Sequence, residues 1–281
     1  AGSDARSDAG SDACSDARAD ASTAAPTCVG QILDVCIIVD ESGSICTNEN
    51  ASPQLCQSGN CGSVDPITGS TFCTGPSSTT CDYQDGCPRF NDIAGDDTPN
   101  VKNFTKRFIE EVEDQLANKG DVTSQYSVVE FATLAEETTP LTDDVTAKAA
   151  VNAIVYSGGY TNLEQGIIKC QETLVDSLAQ TKVIVVETDG FPNRRGDPAL
   201  SGEAAARDAA EAAANVAKAA DIDIATVYVL GGPSDGSDFL RNRIASPDGD
   251  GGELAFEDLT FPDAEDLADA ILDSINPCFR D

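Results

Sequence analysis

From Leu33 onward, short apolar runs alternate with amphipathic stretches, and this alternation constrains the fold more than any other feature of the 281-residue chain. The runs are LDVCIIVD (33–40), QYSVVEFAT (125–133), KVIVVETD (182–189), DIDIATVYVLG (221–231) and ELAFED (253–258). Helical patterns lie between them. In 100–118, Val101, Phe104, Phe108, Val112 and Leu116 recur at helical spacing, and further helices are expected at 143–155, 161–179, the Ala-rich 202–220, 237–245 and 262–275. AEETTPL (135–141) directly follows the second run and is short enough to pair back on it as an edge strand. The pattern predicts an α/β fold: a Rossmann-like, doubly wound, mainly parallel sheet with one antiparallel edge strand, flanked by helices.

Two segments depart from this pattern. Residues 46–90 are poor in apolar residues and hold Cys46, Cys56, Cys61, Cys73, Cys81 and Cys87, which reads as a disulfide-stapled insertion after the first strand whose pairing the sequence leaves open. Zinc is disfavoured, because the chain has no His and this segment has no CxxC pair. Residues 1–27 repeat Ser-Asp-Ala plus one variable residue and offer almost nothing to bury, so they read as an acidic tail. Cys36 and Cys170, in a strand and a helix, are expected to be buried free thiols. Cys14, in the tail, is a candidate for an interchain bridge.

A net charge of −32, from 17 basic and 49 acidic residues, excludes nucleic acid as a natural partner, because phosphate binding needs clustered Lys and Arg. No run approaches the ~20 apolar residues of a membrane span. Eleven Cys point to an oxidising compartment, the absence of Met is read as removal of a leader, and the sequons at Asn50 and Asn103 fit a secretory route. The expected location is secreted or extracellular, at a cell surface or in a matrix.

The chemistry concentrates where the first strand ends. Asp40, Ser42 and Ser44, in DESGS, stand at alternate positions, and Gly43 permits a tight turn. These are hard oxygen donors without nitrogen or sulfur, a set suited to Mg²⁺ or another hard divalent ion (Ca²⁺ or Mn²⁺). Two more loops offer the same chemistry: YSGGYTN brings Thr161, and VVETDGFPN brings Asp189 at the end of another strand. In a doubly wound sheet such loops converge at the carboxyl edge. PDGDGGE (247–253), with Asp248, Asp250 and Glu253, is too short for an EF-hand, and GGPSDGSD lacks the Lys of a phosphate loop.

DESGS, GGYTN and TDG, in that order and each at a strand-to-helix loop, resemble the von Willebrand factor type A (VWA) domain and its metal-ion-dependent adhesion site. The resemblance runs over about residues 28–278. It implies that Asp40, Ser42, Ser44, Thr161 and Asp189 hold a divalent cation directly or through water, and that a partner's carboxylate completes the ion's shell. It also implies a disulfide between Cys28 and Cys278. The long insertion and Glu187, near the third loop, depart from the pattern and bear on which ligand can approach.

The expected function is therefore metal-ion-dependent adhesion to an extracellular protein ligand. The alternative is a structural subunit of an extracellular filament, wall or sheath, in which copies of the chain assemble through the tail and the insertion. An enzyme is not expected: without His no Ser-His-Asp or Cys-His pair can form, and no motif places two carboxylates for acid and base work.

Overall fold

The computed structural model describes residues 30–46, 63–64, 71–72, 90, 100–117, 119, 122–197, 199–229, 234–248, 252–258 and 264–275. The tail with Cys14, the end cysteines Cys28 and Cys278, Asn50, and Cys56, Cys61, Cys73, Cys81 and Cys87 lie outside the described residues, as does the side chain of Cys46.

In chain order the strands are β1 (Ile32–Asp40), β2 (Ser63–Val64), β3 (Thr71–Phe72), β4 (Thr123–Phe131), β5 (Ala135–Thr142), β6 (Thr181–Thr188), β7 (Arg194–Arg195), β8 (Leu200–Ser201), β9 (Asp223–Val229) and β10 (Ala255–Asp258). The helices are α1 (Gly43–Cys46), α2 (Val101–Leu116), α3 (Asp144–Ala153), α4 (Leu163–Val175), α5 (Glu203–Ala219), α6 (Ser234–Phe239) with a π-helical turn at Leu240–Ile244, and α7 (Ala264–Ile275).

One six-stranded sheet runs in the order β10-β9-β6-β1-β4-β5. All neighbours are parallel except β4 and β5, so AEETTPL forms the expected antiparallel edge. Successive strand residues point to opposite faces, and each face has its own core. Leu33, Val35, Ile37 and Val39 pack with α2, α3 and α7 on one side. Cys36 and Ile38 pack with α4 and α5 on the other. The buried stripe of α5 is Ala206, Ala210, Ala213, Ala214 and Ala217, small side chains that let this helix lie close to the sheet.

Cys36 and Cys170 are not free thiols. They form a disulfide from β1 to α4, with Cα atoms 5.5 Å apart across a sequence separation of 134. The approach is close there for a second reason: a Cβ on Gly166 of α4 would stand 2.9 Å from Ile38 Cγ2. A helix held this near the sheet brings the two sulfurs within bonding range.

Inside the Cys-rich insertion, β2 and β3 pair antiparallel. A second small hairpin, β7 with β8, follows β6 and was not expected from the sequence. The chain passes from β1 to β4 and β5 on one side of the sheet, then returns to β6, β9 and β10 on the other. The direction of winding thus reverses beside β1, and crossovers diverge at the carboxyl ends of β1 and β6 to open a crevice.

Candidate functional site

Asp40 closes β1 at that crevice and is fully buried. Its Oδ1 accepts the backbone N–H of Ser42 at 2.7 Å, which folds the chain into the turn that starts α1. Its Oδ2 accepts the hydroxyl of Thr188, the last residue of β6, at 2.5 Å. Ser42 Oγ is 3.0 Å from Ser44 Oγ, and Ser44 Oγ donates to Asp189 Oδ1 at 2.7 Å. The alternate spacing of DESGS therefore brings its three side chains into one hydrogen-bonded cluster, which Asp189 joins from β6.

Thr161 approaches the same cluster. A Cβ on Gly190 would meet both Ser44 Oγ, at 3.3 Å, and Thr161 Oγ1, at 3.8 Å, so one glycine separates the three loops. The Thr161 loop is fixed on each side. Thr161 N–H donates to Asn193 Oδ1 at 3.0 Å, and the N–H groups of Asn193 and Arg194 donate to Thr161 O. Gly43 N–H donates to Gly159 O at 3.0 Å, and a Cβ on Gly43 would stand 3.1 Å from that oxygen, so the two loops touch through their backbones.

Support extends below the loops. Tyr156 Oη donates to Ser42 O at 3.1 Å and its ring packs on Phe90 at 5.4 Å. Lys102 Nζ donates to Ile154 O at 2.6 Å, which ties the start of this loop to α2. Glu41 accepts both the N–H and the hydroxyl of Ser157.

The carboxylates here are crowded. Burial pushes Asp40 up to about 6, against the lowering effect of the Thr188 and Ser42 hydrogen bonds. Burial pushes Glu41 up to about 8, with Glu130 adding to the rise. Glu187, paired in register with Val39 of β1, is held well above the ordinary carboxyl range by burial and then by the Asp40 charge. Its Oε2 is 2.8 Å from Thr105 Oγ1, which also contacts Val101 O at 2.9 Å. The Thr105 hydroxyl donates to Glu187 Oε2, and this hydrogen bond opposes the rise.

All five sequence-predicted residues thus lie at the crevice. Among the described residues no group of three or more His, Cys, Asp or Glu side chains is arranged to hold a metal; the crevice gathers two aspartates with hydroxyls instead. Thr188, Tyr156, Ser157 and Asn193 were missed by sequence reasoning. Only Thr188 carried a signal, as the strand residue directly before Asp189. Asn103 falls in the first turn of α2, where its N–H donates to the capping Asn100 side chain. Asp248 accepts the N–H of Gly252 at 2.6 Å and shapes a turn.

Comparison with curated protein sequences finds no match. Among solved structures, the vWF domain of the type V pili tip protein Mfa5 from Porphyromonas gingivalis aligns with a TM-score of 0.57 at 12% identity, covering 88% of this chain and 97% of that one. A mutant of the PilB minor pilin from Streptococcus sanguinis aligns with a TM-score of 0.54 at 14% identity, covering 88% and 62%. Proximal thread matrix protein 1 from the mussel byssus, in a structure with a zinc-occupied MIDAS motif, aligns with a TM-score of 0.50 at 20% identity. That alignment covers 85% of this chain and 45% of the mussel protein, so the chain spans about half of that relative's length. At these identities the likeness shows the fold. The family model for the von Willebrand factor type A domain matches residues 91–270, which include Thr161 and Asp189 and begin after the DESGS loop. That match spans more than half of the sequence and agrees with the sheet described above: the chain belongs to the von Willebrand factor type A domain family.

Proposed function

We propose that this chain is a secreted or cell-surface adhesion module that binds an acidic residue of an extracellular protein partner through a divalent cation. The observation that carries the reading is the hydrogen-bonded series Ser42–Ser44–Asp189, which draws hard oxygens from two parts of the chain to one point. Asp40, Ser42, Ser44, Thr161 and Asp189 would hold the ion. All donate through oxygen, which favours Mg²⁺, with Ca²⁺ or Mn²⁺ as substitutes.

When bound, the ion supplies an electrophilic position for a partner's carboxylate. The chain's own residues prepare that position. Thr188 and the Ser42 N–H occupy Asp40 and fix its orientation. Three of the five donors are neutral hydroxyls, which donate more weakly than carboxylates would, so the ion would keep electrophilicity for a further anionic ligand. The likeness in fold to a pilus tip protein, a minor pilin and a byssal thread matrix protein supports an extracellular binding or assembly role.

A direct test retains the full chain on surface-bound poly-aspartate in Mg²⁺ and in EDTA. Retention in Mg²⁺ alone supports the reading, and equal retention in both contradicts it. The second reading, a structural subunit of an extracellular filament, wall or sheath, is supported by the odd cysteine Cys14 in the repeat tail. Covalent multimers on non-reducing gels that vanish on reduction would favour it.

A further inference from the structure

Three arginines stand beside the crevice on the segment that follows Asp189. Arg194 lies with its guanidinium carbon 3.3 Å from the ring centroid of Tyr160, the residue before Thr161. Arg207 lies 3.8 Å from the ring centroid of Phe191, two residues after Asp189. Arg195 shares hairpin strand β7 with Arg194. Each of the three has a buried Nε without a hydrogen-bond partner. Arg194 is only 8% exposed.

In a chain with 49 acidic and 17 basic residues, unpaired arginines are unexpected. Yet of these three only Arg207 has an ion-pair partner among the described residues, Glu203 at 3.6 Å. The other nearby acids are otherwise placed: Glu164 accepts the N–H of Gly196 at 2.5 Å, and Asp197 is exposed on the hairpin turn. Stacking leaves the edge of a guanidinium open to carboxylates, although in Arg194 one edge already donates to Asn193 O at 3.0 Å.

We infer that Arg195 and Arg207, backed by the buried charge of Arg194, form a cationic collar that receives further carboxylates of the segment whose first carboxylate reaches the ion, and that this segment is the acidic tail of a second copy of the chain. The inference rests on the metal-dependent reading above. Two copies that each carry −32 repel, so an acidic segment can dock only where local positive charge offsets the field. An ion flanked by these arginines is such a place.

The tail suits the collar. Asp4, Asp8, Asp12, Asp16 and Asp20 recur every fourth residue, each flanked by Ser or Ala, and they outnumber the segment's two cations, Arg6 and Arg18. In an extended segment, residues four apart face the same side ~13 Å from one another. Several equivalent carboxylates also raise the chance that one is at the ion, as in any multivalent ligand.

The test uses the full chain with Cys14→Ser, so that covalent bridging cannot contribute. Sedimentation velocity follows association in Mg²⁺ and in EDTA, and calorimetry follows Mg²⁺ uptake. The expected result is Mg²⁺-dependent self-association, lost when Asp4, Asp8, Asp12, Asp16 and Asp20 are all changed to Asn. Association is weakened about tenfold in Arg195→Ala/Arg207→Ala. Both variants take up Mg²⁺ as the parent does. A parent that takes up Mg²⁺ but stays monomeric, or variants that associate as the parent does, overturns the inference and leaves the metal reading standing. A parent that takes up no Mg²⁺ overturns both. The tail variant is read independently, so the test stands even if the arginine variant fails to fold.

Discussion

Ser44 Oγ donates a 2.7 Å hydrogen bond to Asp189 Oδ1, although 145 residues separate them. This contact joins the turn after β1 to the end of β6, and the two strands are direct neighbours in the sheet. The position of the sheet's reversal thus fixes which loops meet.

Ser44→Ala removes a donor to Asp189 and one proposed ion ligand. It should weaken Mg²⁺ binding about tenfold, the loss of roughly one charge-assisted hydrogen bond, and leave the thermal midpoint of the metal-free protein nearly unchanged. Titration calorimetry on both proteins checks this. Parental affinity in the variant would remove Ser44 from the set.

The metal-free protein should lose stability as pH rises. Glu41 and Glu187 have folded values raised above their ordinary 4.5, so their contribution is fully present below that pH and is lost as pH climbs through the folded values, which for Glu41 is about 8. Thermal midpoints in EDTA should therefore fall from pH 5 to pH 8. Glu187→Gln, which mimics the neutral acid, should flatten the fall and exceed the parent at pH 8. An equal offset at both pH values would show that Glu187 does not titrate in this range.

The Cys36–Cys170 bridge closes a loop of 134 residues. Cys36→Ala/Cys170→Ala should cost ~2–5 kcal/mol in denaturant unfolding. The bridge lies within the core and not at the crevice, so Mg²⁺ uptake should persist. Peptide mapping without reductant should recover the linked pair. Free thiols at both positions together with unchanged stability would contradict the assignment.

Much of this architecture is legible in the sequence because its signals are local. Val101, Phe104, Phe108, Val112 and Leu116 mark the buried face of α2 by spacing alone, and the Asp-x-Ser-x-Ser pattern marks the end of β1. What escaped depends on contacts between distant residues. Cys36 and Cys170 sit in apolar surroundings that suit a free thiol equally well, and only the close seating of α4 on β1 distinguishes the two. The β7–β8 hairpin is two residues per strand, too short to show alternation. The pairing of Ser157 with Glu41 needs the Thr161 loop to cross the end of β1, which no local pattern encodes.

The central claim is that Asp40, Ser42, Ser44, Thr161 and Asp189 hold a divalent cation. Titration of Mg²⁺ into the full chain and into Asp189→Ala, at neutral pH after chelation and dialysis, tests it most directly. The account predicts one ion bound per chain in the parent and no binding heat at millimolar Mg²⁺ in the variant, with circular dichroism showing both folded. Equal binding heats in the two proteins would contradict it.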